Sequence, residues 1–211
     1  MRTYMKFIAY LVLVAWVSMA SADPVVDFFR AVNADDERSV KTLLAAGFDP
    51  NTPDPQGQVG LYLAMRDEAS KVATALIAHP TLKIDATNAA GETALMMAAL
   101  RGNLDWTRRL LERGAAINRA GWSPLHYAAS GPGLAVVKFL VERGAEINAP
   151  SPNRSTPLMM ASRYGAWDSA DWLLDRGADA RLLNDRSLGA VDFARTAGRD
   201  GLVRRIEQLT R

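Results

Sequence analysis

The chain has 211 residues, with 25 Lys and Arg against 23 Asp and Glu, two His and no Cys. That length suits one or two domains. Without Cys there can be no disulfides, thiol nucleophiles, Cys-ligated zinc or iron–sulfur clusters, and no Lys/Arg run marks a nucleic-acid surface.

At the N-terminus, Arg2 and Lys6 precede an apolar run from Phe7 to Met19, and Ala20-Ser21-Ala22 is a small-residue cleavage pattern. This is the layout of a secretory signal peptide over 1–22, cleaved after Ala22. The apolar run is short for a membrane anchor, which needs about 20 residues, and no Cys offers a site for lipid attachment. Cleavage would take Arg2 and Lys6 from the basic side and nothing from the acidic side, leaving the mature chain formally neutral.

From residue 23 onward a helix-opening motif recurs, its first positions being Val26, Val59, Thr93, Ser123, Thr156 and Gly189, at steps of 33, 34, 30, 33 and 33 residues. Val26-Asp27-Phe28-Phe29 opens the first unit, and Leu43-Leu44-Ala45-Ala46-Gly47 closes it. Val59-Gly60-Leu61-Tyr62 opens the second, where Pro80 stands in the place of the closing Gly. Thr93-Ala94-Leu95-Met96, Ser123-Pro124-Leu125-His126 and Thr156-Pro157-Leu158-Met159 are close copies. In these, Thr or Ser can cap the helix start and Pro fits the first helical position, where its missing N–H costs nothing. Gly114, Gly144 and Gly177 close those units and suit the left-handed residue after a helix. Gly189-Ala190-Val191-Asp192 opens the last unit, which ends in a charged amphipathic helix through Leu209.

This pattern resembles the ankyrin repeat family. The resemblance implies an all-α solenoid of stacked helix-turn-helix units with β-hairpin or loop fingers. About six repeats are expected, at 23–53, 54–87, 88–118, 119–150, 151–183 and 184–211, the outer two acting as caps within a single domain over 23–211. In the family the His of the motif supports the backbone by hydrogen bonds. Met96, Met159 and Tyr62 replace it here, so those units are expected to lean on apolar packing. The loop from Asn118 to Trp122 is three residues short, which predicts a stubby finger.

No catalytic, cofactor or metal site emerges. His126 falls in the structural slot, His79 suits a helix end near the last carbonyls, and Asp35-Asp36-Glu37 reads as a complement to a helix N-terminus. A non-enzyme is expected, with an unrecognised enzyme site as the contrasting possibility. In the resembling family, partners meet the loop tips and the inner face of the first helices. By register this brings in Pro55, Gln56, Gln58, Ala89, Ala90, Glu92, Arg119, Pro152, Asn153 and Ser155 at the tips, with Asp67, Leu100 and Ser130 on the inner helices. The residues singled out for partner binding are Trp122, Arg101, Arg163, Tyr164, Arg66 and Arg154, because Trp, Tyr and Arg dominate interface hot spots. Trp122 could instead fold onto the next repeat. Trp106, Trp167, Trp172 and Phe139 are expected in the core, as are Met96, Met97, Met159 and Met160. Arg113, Arg143 and Arg176 form a recurring basic position best explained by helix C-termini.

The functional expectation is a monomeric, non-enzymatic scaffold in the periplasm, or secreted further, engaging one protein partner and neither nucleic acid nor membrane. Two narrower readings accompany it: an immunity or inhibitor protein against an envelope-acting toxin or hydrolase, and an assembly or protection factor for an exported enzyme, for instance in oxidative-stress defence.

Overall fold

A computed structural model describes residues 23–211; the expected export signal at 1–22 lies outside the described residues. Among the described residues there are twelve helices: α1 Pro24–Asn33, α2 Glu37–Ala45, α3 Gly60–Arg66, α4 Ser70–Ile77, α5 Ala94–Leu100, α6 Leu104–Glu112, α7 Pro124–Ser130, α8 Leu134–Glu142, α9 Pro157–Arg163, α10 Trp167–Asp175, α11 Ala190–Thr196 and α12 Asp200–Thr210. Consecutive helices pair, α1 with α2 through α11 with α12, and first helices pack on first helices along the stack. The expected all-α stack is what the chain builds. Ala98, Ala99, Ala128, Ala129 and Ala161 are all buried in the first-helix layer. Their small side chains let these helices approach closely, which in the resembling family goes with a stack that is concave on its loop side.

The openings work by the expected physics, with one variation at each slot. Thr93 and Thr156 Oγ1 accept the N–H of Met96 and Met159 (3.3 and 3.4 Å). The fourth residue of the motif answers by accepting the N–H of the first. Met96 and Met159 do this with sulfur (both 3.4 Å), His126 with Nδ1 (3.2 Å) and Asp192 with Oδ2 (2.9 Å). His126 goes further. Its Nε2 lies 3.0 Å from the carbonyl of Ser155 in the next unit. A carbonyl can only accept, so Nε2 carries the proton and Nδ1 is the acceptor. Met96 and Met159 cannot make that second bond and are buried in the core instead, as expected. Tyr62 departs from the expectation: its hydroxyl donates to Glu92 of the next unit at 2.8 Å, so this slot keeps a polar tie.

Gly60 stands where the four later openings carry Pro or Ala because the Phe28 ring already fills the space. A Cβ at residue 60 would lie 2.7 Å from Phe28 Cε1. Phe28 in turn stacks on Phe48 and meets Phe29 edge-on, closing the N-terminal end of the core with aromatics. Gly47, Gly114, Gly144 and Gly177 take φ of 93°, 89°, 94° and 89°, the left-handed geometry their position required. At the loops, isolated antiparallel bridges form at Pro53–Val59, Thr87–Thr93 and Leu183–Gly189. Neither the shortened loop from Asn118 to Trp122 nor the full-length loop from Ala149 to Ser155 has such a bridge.

Polar ties between neighbouring units run along the loop side. The side chains of Asn51, Asp85, Asn118 and Asn148 accept the backbone N–H of Lys83, Ala116, Glu146 and Asp179, each in the following unit (2.7, 3.1, 2.9 and 2.9 Å). Asp35 accepts the N–H of Val72 (2.9 Å) near the start of α4, so it caps the next unit's helix, whereas Asp36 caps its own α2 through Ser39. Arg113 donates to the carbonyls of Ile77, the last residue of α4, and His79 just beyond it, and Arg143 and Arg176 lie over the Phe139 and Trp172 rings of their own helices. The basic ladder is therefore part of the scaffold. His79 does not cap α4; its ring nitrogen contacts Thr81 Oγ1 at 3.1 Å.

Two expectations about the core need correction. Trp106 and Phe139 are buried and Trp172 is half-buried, but Trp167 is 74% exposed. It is the first residue of α10, and its ring lies over the Arg199 guanidinium (5.1 Å) at the stack's edge. The inward position that Trp106 fills in α6 is filled in α10 by Ser169, fully buried. Met160 is likewise half-exposed, on the concave side, while Met96, Met97 and Met159 are buried.

The His126 ties carry a pH signature. Burial holds its pKa below the ordinary histidine value, so the unfolded chain takes up a proton that the folded chain refuses. Stability should fall as pH drops below about 6.5. His126→Met, which copies the neighbouring units, should cost about 1–3 kcal/mol at neutral pH for the lost bond to Ser155. It should also flatten the dependence of the urea midpoint on pH between about 7.5 and 5.5. Chemical denaturation of both proteins across that range checks this.

Candidate partner-binding groove

The concave side is built from the first helices and the loops that precede them. The residue after each His slot recurs at Leu63, Met97, Tyr127, Met160 and Phe193; Leu63 and Met97 are buried, whereas Tyr127, Met160 and Phe193 are half-exposed. The C-terminal half of the groove therefore presents an apolar stripe. Trp122 sits at its start, half-buried, in the loop that lacks a full finger, with its ring edge-on to His126 at 5.2 Å between centroids.

Two clefts share Trp122 and Met160. One, of about 200 Å³, is lined by Leu100, Trp122, His126, Tyr127, Ser130 and Met160. The other, of about 280 Å³, runs past Asn153, Arg163, Tyr164, Arg186, Asp192 and Phe193. A larger open depression of about 450 Å³ lies over α1 and α2, among Asp27, Arg30, Asp36 and Arg38. Its acids are engaged locally: Asp27 pairs with Arg30, and Asp36 takes both the N–H and hydroxyl of Ser39. Size alone does not mark a site there, since no aromatic side chain lines it.

Of the residues singled out from sequence, Trp122, Arg163 and Tyr164 are brought together around the second cleft. Tyr164 is 54% exposed and carries the Arg163 guanidinium over its ring at 5.1 Å. Arg66 and Arg101 form a separate group nearer the N-terminus. Arg66 makes a two-pronged pair with Asp67 (both 2.7 Å), and Arg101 donates to the Arg66 carbonyl at 2.6 Å, capping α3. The Arg66 hydrogen bonds hold the Asp67 carboxyl below the usual range. Arg154 stands apart at an exposed fingertip, in left-handed backbone (φ 60°), and does not line the cleft, although Asn153 and Ser155 beside it do.

The groove also contains residues the motif did not flag. Glu92, named only as a loop-tip position, ties three units. Its carboxylate accepts the hydroxyls of Tyr62 (2.8 Å) and Tyr127 (2.7 Å) and the side-chain amide of Asn88 (2.8 Å). Burial would raise its pKa, but the bonds from Tyr127, Asn88 and Tyr62 outweigh that and hold it below the usual carboxylate value. Burial, aided by Glu92, pushes the Tyr62 hydroxyl up to about 12 and raises Tyr127 as well. Arg199, 7% exposed, donates to the carbonyls of Ala161 and Gly165 at the end of α9, fixing the turn that carries Tyr164 and supporting Trp167. The sequence signal for Tyr127, Met160 and Phe193 was their shared place in the period. Glu92 and Arg199 had no local signal, since their partners lie in other units.

Two measurements follow. Glu92 is ionised in the fold at a lower pH than in the unfolded chain, so its stabilisation is complete above about pH 5 and is lost as pH falls through its folded pKa. Combining Glu92→Gln with Tyr127→Phe in a double-mutant cycle should give a coupling of about 1–2 kcal/mol at neutral pH that shrinks as acid protonates the carboxylate. Separately, Trp167→Phe should leave the unfolding free energy almost unchanged, within about 0.5 kcal/mol as for other surface changes. The same variant should remove the most solvent-quenchable part of the tryptophan fluorescence, read by iodide quenching.

A family model described as ankyrin repeats (three copies) matches residues 28–120, 81–151 and 119–184. No curated protein matches the sequence. Among solved structures, the chain is similar to one from the complex of a predatory endopeptidase from Bdellovibrio bacteriovorus with an immunity protein. The TM-score is 0.73 at 23% identity, covering 86% of this chain and 97% of that one. At that identity the likeness bears on the fold. With matches spanning most of its length and the helix pairs described above, the chain belongs to the ankyrin repeat family.

Proposed function

We propose that this protein is a non-enzymatic scaffold that binds one protein partner through its concave groove, and that it does so after export to the periplasm. The observation that carries the groove assignment is the meeting of Trp122, Met160, Arg163 and Tyr164 around adjoining clefts, on the side where the loop is shortened. Trp, Tyr and Arg there have the makeup of an interface hot spot: large rigid area, partial desolvation and directional donors. Support for export comes from the sequence alone, through the basic start, short apolar run and Ala20-Ser21-Ala22.

Of the narrower readings, an immunity or inhibitor role has a specific observation in its favour: the similar solved structure comes from a complex of an endopeptidase with an immunity protein. By that reading the groove would cover a hydrolase acting in the envelope, and the partner's gene would be expected beside this one. Relief of that enzyme's toxicity on co-expression supports immunity. A fall in an exported enzyme's activity when this gene is lost, with its transcription unchanged, supports an assembly factor instead.

The groove assignment is tested by replacing Trp122, Arg101, Arg163 and Tyr164 together with Ala. Recovery of one partner from a periplasmic extract, quantified by mass spectrometry, should fall at least about tenfold. A control carrying Ala at Asp105, Arg108, Glu112 and Lys138, on the opposite side, should recover it fully. Equal recovery by both variants would overturn the assignment.

A further inference from the structure

The chemistry of the groove's C-terminal half says more about what it takes. Arg163 and Arg186 line the larger cleft, and Arg154 stands at the adjoining fingertip; all three are exposed. Among the described residues none of the three is in an ion pair. Four other guanidiniums are neutralised locally: Arg30 pairs with Asp27, Arg66 with Asp67, Arg195 with Asp192 and Glu207, and Arg205 with Asp171 and Asp175. The nearby acids do not balance the three. Asp192 is committed to the Gly189 N–H and to Arg195. Asp185 is exposed at the next fingertip, leaving three guanidiniums facing one free carboxylate.

Beside this positive stretch lies the smaller, mostly apolar cleft, walled by Leu100, Trp122, Tyr127 and Met160. The two clefts are continuous across Trp122 and Met160. We infer that the groove receives an acidic protein segment, with one apolar side chain seated between Trp122 and Tyr127 and carboxylates beside it meeting Arg163, Arg186 and Arg154. The inference rests on the groove reading above. Arg suits it better than Lys would, because the planar guanidinium can take a carboxylate through two parallel bonds. Unpaired exposed charges also steer an oppositely charged partner into the groove and raise its association rate. The apolar seat provides the desolvated anchor that surface charge alone lacks.

The test uses a random dodecapeptide library displayed on phage and panned against the immobilised protein. Enriched peptides are then synthesised with a fluorescent label and titrated by polarisation. Enriched sequences should carry two or more Asp or Glu beside Leu, Met or an aromatic residue. Their binding should weaken roughly tenfold with Arg163→Glu combined with Arg186→Glu and should weaken further as NaCl rises. These arginines are exposed, so unchanged circular dichroism separates the charge effect from misfolding. Peptides that are lost with Tyr164→Ala and Trp122→Ala, yet are neutral or basic or indifferent to charge reversal, would keep the groove and overturn the acidic partner. Peptides indifferent to all four substitutions, or no enrichment, would overturn both.

Discussion

No helix pair in this chain can bury its own apolar face, and the fold follows from that constraint. Each pair leaves small and branched side chains exposed until the next pair covers them. The contact is close because Ala98, Ala99, Ala128, Ala129 and Ala161 line the first-helix layer. Apolar contact of this kind has little directionality, and neighbours could slide. The polar ties supply register: Asn51, Asp85, Asn118 and Asn148 each reach the backbone of the following unit, and His126 reaches Ser155. Breaking such a bond leaves a backbone group without its partner, which is why these ties set position more than they add net stability.

The groove inherits that rigidity. Glu92 joins Tyr62 and Tyr127 from the units on either side of its own, so the concave face is pinned across three units before any partner arrives. Arg199 does the same for the turn bearing Tyr164, donating to two backbone carbonyls at a helix end, where a cation suits the dipole. Trp122 differs, since its loop is three residues short. A large aromatic in a shortened loop, next to a pinned wall, gives the groove an anchor whose surroundings need little ordering on binding.

How much of this was legible in the sequence depends on the range of the interaction. Helix openings and closing glycines are local devices, so their spacing revealed the stack and its shortened loop. The Trp122, Arg163 and Tyr164 cluster was also legible, because stacking preserves register from unit to unit. What escaped was anything whose partner lies about one period away. Asp35 looked like a cap for its own α2 and serves α4; Glu92 looked like a fingertip and is a clamp. Trp167 failed differently. A tryptophan inside a helix suggests core, but the inward position of α10 belongs to Ser169, two residues further on, and Trp167 turns to Arg199 at the edge. Tyr127, Met160 and Phe193 share a slot with buried Leu63 and Met97, so periodicity could not tell groove from core.

The central claim is that the partner lies in the concave groove around Trp122. A benzophenone-bearing amino acid placed in turn at Trp122, Tyr164 and, on the opposite side, Asp105 tests it in living cells. The account predicts one covalent adduct, to the same protein, from positions 122 and 164 and none from 105. An adduct from 105 alone, or none from the groove positions while the partner still co-purifies, would contradict it.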